Sequence, residues 1–168
     1  MTAATPTTDT APTTNGEAAA AAEPRIALGT LFPEGYRAMV ALDREVGRAG
    51  LEESLVNLVK QRASQINGCA YCLDMHGKDA RAAGESQQRL DVLPAWDEVT
   101  LFTPRERAAL ALTESITLVA DTHVPDEAVD AARTHFSEEE LAQLVFHVVT
   151  INAWNRIAIT ARMPLPPA

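Results

Sequence analysis

Thiols are scarce in this sequence, with two cysteines among 168 residues. That excludes a disulfide-stapled scaffold, because such domains are cysteine-dense. Basic side chains are also few: 14 Lys and Arg stand against 23 Asp and Glu, for a formal net charge of −9. No cluster of them offers a footprint for phosphates, so nucleic acid and anionic membrane surfaces are excluded as partners. No apolar run approaches the roughly 20 residues of a membrane-spanning helix. The N-terminus, MTAATPTTDTAPTTNGEAAAAAEP, has neither the basic start nor the apolar core of a secretory signal. The expectation from these absences is a soluble cytoplasmic protein. What is present in ordinary amount is hydrophobic side chain, 46% of the total, enough for one domain with a packed core.

Residues 1–24 are Thr, Ala and Pro with almost no large apolar group. Such a stretch cannot offset the entropy of ordering itself, and it reads as a disordered tail. The domain is expected over 25–164, where MPLPPA closes the last helix. Within it the punctuation is helical throughout. Pro33 suits a first turn, with Met39, Val40, Leu42 and Val46 as an apolar face and Gly50 at the end. Leu51, Leu55, Leu58, Val59, Ala63 and Ile66 recur at three- and four-residue spacing, which predicts an amphipathic helix over 51–67. Gly68 allows a break before a further helix ending near Gly84, and Ser86 caps a short one to about Leu93. Thr103-Pro104-Arg105-Glu106 and Ser137-Glu138-Glu139-Glu140 are capping boxes. The first opens a helix to about Asp121; the second opens a long one with Leu141, Leu144, Val145, Val148 and Ile151 on its face. Pro125 begins a helix to about Thr134. The fold class is all-α.

Both cysteines fall in NGCAYCLDMH, residues 67–76. Cys69 sits near a helix cap, Cys72 in the first turn, and His76 one turn further on the same face. Unpaired N–H groups and the helix dipole stabilise a thiolate there, and the imidazole can take or return its proton. The same three residues are also candidate zinc ligands, with no obvious fourth. Two inert buried cysteines are the blander reading, and a structural disulfide the least suited to a reducing compartment. His123, His135 and His147 are read as structural or surface residues. Trp96 and Trp154 are expected to anchor the core or an interface, Asn152 and Asn155 to serve structure, and the stretch 94–102 to shape access to the site.

KQRASQINGCAYCLDMHGKDARAAGE, with FTPRERAALALTESITLV and the segment from His123 to Ile159, resembles the AhpD-like alkylhydroperoxidase branch of the carboxymuconolactone decarboxylase family. The resemblance implies a helical protomer with the Cys-x-x-Cys motif at a helix N-terminus, assembling as a homotrimer or homohexamer. It further implies thiol-based reduction of a hydroperoxide, with Cys72 as the peroxidatic cysteine, Cys69 as the resolving one and His76 in a proton relay. A lipoyl-bearing or thioredoxin-like protein would be the reductant, and no haem, flavin or metal is expected. True carboxymuconolactone decarboxylation is disfavoured, because it has no need of a cysteine pair.

The sequence departs from the family pattern at two places. Tyr71 stands where the best-known members have His, and Asn57 where their relay has Glu. An amide cannot take a proton near neutral pH, and a positioned acid or base contributes about 10²–10⁴-fold. Glu53, one turn earlier, is a candidate substitute acting through water. The alternative to a peroxidase is therefore a dithiol redox sensor or thiol–disulfide partner, with Asn57 marking slow peroxide turnover.

Overall fold

The computed structural model describes residues 23–165, so the tail read over 1–24 lies, but for its last two residues, outside the described chain. Nine α-helices appear there and no strand: α1 Leu28–Leu31, α2 Pro33–Val46, α3 Glu53–Asn67, α4 Ala70–Ala82, α5 Gln87–Val92, α6 Pro104–Thr117, α7 Val119–Thr122, α8 Asp126–Arg133 and α9 Glu138–Ala161. A 3₁₀ segment, Leu93–Glu98, follows α5. The all-α expectation is borne out.

Local chemistry sets most of the boundaries. Thr103 and Ser137 each accept from the N–H three residues on, while Glu106 and Glu140 reach back to the cap N–H; both capping boxes are complete. The end of α3 is a Schellman turn. Gly68, at φ 68°, lets its own N–H reach Gln65 O and the Cys69 N–H reach Ser64 O. Cys69 then becomes the N-cap of α4.

Several boundaries differ from the sequence reading, the start of α3 at Glu53 rather than Leu51 among them. Helix α2 stops at Val46, with Gly47 rather than Gly50 at its end, because the turn that follows must return Leu51 to the core. The sixth helix ends at Thr117. Leu118 leaves helical geometry at ψ 33°, and the Thr122 hydroxyl donates to Ser115 O at 2.6 Å, so residues 119–122 form a separate turn. The single turn α1 was not foreseen.

Helix α3 packs against α4, α6 and α9. One core joins Leu51, Leu55 and Val59 to Leu112, Leu144 and Val148; another joins Leu58 to Leu93, Phe102 and Leu110. Each fully buried aliphatic side chain contributes about 1.5–3 kcal/mol. The stretch 94–102 belongs to the second of these. Arg107 binds the carbonyls of Trp96, Asp97 and Val99, and Trp96 donates to Glu114 at 2.7 Å. None of these residues lines the cavity beside Cys72, so this stretch does not shape access as expected.

Candidate active site

The Schellman turn and the cap bring the two thiols together. Both cysteines are free and buried, and their sulfurs lie 2.6 Å apart. Cys69 Sγ also accepts the Cys72 N–H at 3.4 Å. Two buried thiols this close titrate as a unit. The hydrogen bond from the Cys72 thiol pulls Cys69 down to about 6, against the opposing effect of burial. The Cys72 thiol, donating to that sulfur and itself buried, is held well above the ordinary range. The opposed shifts favour a singly ionised pair, with the charge on Cys69. The nearby Asn155 amide favours the anion at each sulfur.

The two cysteines open in different directions. Cys72 lines a cavity of about 220 Å³ with Tyr36, Lys60, Met75, His76 and Trp154. Cys69 borders another, of about 450 Å³, beside Arg25 and Arg162 at the end of α9. His76 is buried, with Nδ1 3.6 Å from Asp79 Oδ2. Burial first, then the Lys60 charge, lowers its pKa to about 4, and Asp79 and Asp43 oppose this only in part. It is an uncharged imidazole at neutral pH, able to donate from one nitrogen and accept at the other.

The sequence profile of the carboxymuconolactone decarboxylase family matches residues 33–115. A putative antioxidant defence protein AhpD from Agrobacterium tumefaciens has the same fold, with a TM-score of 0.83 and 40% identity over 87% of this chain and 100% of its own. The chain belongs to the AhpD-like branch of this family. The uncharacterized protein YdfG of Bacillus subtilis is 42% identical over 80% of this chain and 92% of its own length. A peroxidase-related protein from Ralstonia eutropha with an AhpD core shares the fold at 22% identity and a TM-score of 0.73, covering 85% of this chain and 77% of its own.

In this AhpD-like protein Cys69 meets Cys72 sulfur to sulfur and His76 shares the Cys72 cavity, whereas Asn57 does not line that cavity. Asn57 is buried at 8% exposure and faces a separate opening with Lys60, Asp79 and His147. Among the described residues, no three His, Cys, Asp or Glu side chains converge as metal ligands.

Two features of the site escape a reading by motif. Trp154, edge-on to Tyr36 with ring centroids 5.4 Å apart, walls the cavity rather than only anchoring the core. Asn155 and Asn152 hold the motif in place: Asn67 Nδ2 donates to both side-chain oxygens at 2.9 Å, and Asn155 donates to Ser64 at 3.1 Å. Their spacing on α9, with polar Asn recurring inside an apolar helical run, was the available sign. Among the described residues, no helix is long and apolar enough to cross a membrane.

Proposed function

We propose that this protein is a thiol-dependent alkylhydroperoxide reductase that cycles between the Cys69/Cys72 dithiol and its disulfide. The observation that carries the reading is the free thiol pair at a helix N-terminus, 2.6 Å apart, with Cys72 facing a cavity it shares with a neutral His76. In this reading Cys72 is the nucleophile. Its proton passes to Cys69 across the sulfur–sulfur contact, and the Cys72 thiolate attacks the distal peroxide oxygen. An S–O bond forms, the O–O bond breaks, and the departing alkoxide takes a proton with His76 as the nearest relay. The Cys69 thiol then attacks the Cys72 sulfur; the S–S bond forms and water leaves. The monoanion plus one hydroperoxide and one proton thus give disulfide, alcohol and water. A dithiol donor, lipoyl-bearing or thioredoxin-like, returns two electrons by exchange.

A single-turnover titration of the reduced protein with an organic hydroperoxide tests this, counting free thiols and peroxide together. Two thiols lost per peroxide, abolished in Cys72→Ser, is the expected result. Cys69→Ser should still consume one equivalent and leave a sulfenic acid trappable at Cys72. If the sulfenic acid instead forms at Cys69 in Cys72→Ser, the roles are reversed, as the lowered Cys69 pKa would favour.

The amide at Asn57, away from the Cys72 cavity, favours the second reading: a dithiol redox sensor or partner protein. Thiols that resist peroxide yet oxidise with a disulfide reagent would establish it. Assembly as a homotrimer or homohexamer is part of the proposal, supported by exposed Leu118, Val119, Phe146 and Val149. Light scattering that finds a monomer at micromolar concentration overturns it.

A further inference from the structure

We propose that Asn57 and His147 form a second opening of the active site, a proton-entry site that serves the buried dithiol through a cavity separate from the one beside Cys72. The inference rests on the peroxidase reading, in which each turnover of the monoanion consumes one proton.

The opening is a cavity of about 640 Å³ bounded by Asn57 and Lys60 of α3, Asp79 of α4 and Ala83 just after it, and His147 of α9. His147 is 2% exposed, and neither of its ring nitrogens has a hydrogen-bond partner among the described residues. Asn57 Nδ2 is likewise unpartnered. One turn further in, Gln61 Oε1 and Thr150 Oγ1 are buried and also unpartnered. Beyond them Asn155 donates to Ser64 at 3.1 Å, and its amide favours the anion at both cysteines.

The register of the two helices makes this a path. From Asn57 to Ser64, α3 rises about 11 Å, and from His147 to Asn155, α9 rises about 12 Å. Polar residues therefore recur at matching heights on the two helices, from the cavity that Asn57 and His147 line to the Ser64–Asn155 hydrogen bond. A buried polar atom left without a partner costs about 1–3 kcal/mol. Several in sequence, open to solvent at one end, are the setting in which ordered water completes the hydrogen bonds.

Lys60 borders both cavities, and with burial it holds both imidazoles uncharged; Asp43, Asp79 and Glu53 are the acidic groups nearby. A neutral imidazole passes a proton without storing charge. Histidine thus does here what Asn57 cannot.

The test is single-turnover oxidation of the full chain by an organic hydroperoxide, wild type against His147→Ala. The expected result is a slowing of about 10²-fold, the lower bound for a positioned acid or base. Imidazole added to solution should enter the open cavity and restore most of the rate. Alkylation of the thiolate by iodoacetamide, which needs no proton, should be unchanged. A second variant, Ala83→Trp, plugs the rim from an exposed position outside the seam and should slow peroxide reduction in the same selective way. Unchanged peroxide rates in both variants overturn the inference. So does a slow His147→Ala that imidazole fails to rescue while alkylation slows in parallel, for that is structural damage. If His147→Ala does not fold, Ala83→Trp decides alone. A wild type inert to peroxide overturns the peroxidase reading and this inference with it, whereas an active wild type with indifferent variants overturns the inference alone.

Discussion

Two stripes run along α3 at almost the same depth. Leu55, Leu58 and Val59 are buried among other aliphatic side chains, while Asn57, Gln61 and Ser64, rotated around the same helix, are buried as polar groups, with Ser64 bonded to Asn155 of α9. The apolar stripe is complete in itself, because dispersion and water exclusion ask nothing of direction. The polar stripe is directional and only half satisfied: Ser64 is fully engaged, but Asn57 Nδ2 and Gln61 Oε1 are not. The first holds the bundle together, and the second leaves buried polar atoms unpaired at some cost in stability.

Acid should separate the stripes most strongly. His76 and His147 are both lowered from 6.5 to about 4, by burial and then by Lys60. Between those values the unfolded chain binds protons that the folded chain refuses, so stability rises with pH there and is lost as pH falls. Denaturant unfolding at several pH values should give a slope approaching two protons, and His147→Leu should reduce it by about one. Next in size is Leu58→Ala, in the fully buried apolar stripe. It should cost about 2–5 kcal/mol in denaturant titration and leave the thiol alkylation midpoint near 6. Asn155→Ala should do the reverse in kind. It should cost about 1–3 kcal/mol and move that midpoint upward, because the amide favours the anion at both sulfurs. Gly68→Ala should be the mildest, at about 1–2 kcal/mol for a non-glycine residue in the left-handed region, read by thermal melting.

The helices were legible wherever their limits are local. Thr103 and Ser137 cap with atoms three residues away, and Gly68 breaks α3 through its own φ. The thiol site was legible for the same reason, since Cys69, Cys72 and His76 share one helix end. What the sequence left unread depends on neighbours distant along the chain. Asn57 needs α4 and α9 in place before its opening is defined. His147 looks like one more residue in VFHVVTI until burial leaves it without a partner. The end of α6 depends on a Thr122 hydroxyl that no periodicity reveals.

The turn at Gly68 has a last consequence. A single residue, Cys69, finishes the Schellman turn of α3 and caps α4, and its sulfur already rests beside the Cys72 amide and sulfur. Joining the two sulfurs leaves little backbone to rearrange. A motif folded this way holds its two sulfurs side by side before any oxidant arrives, so the partner for an oxidised Cys72 is already in place.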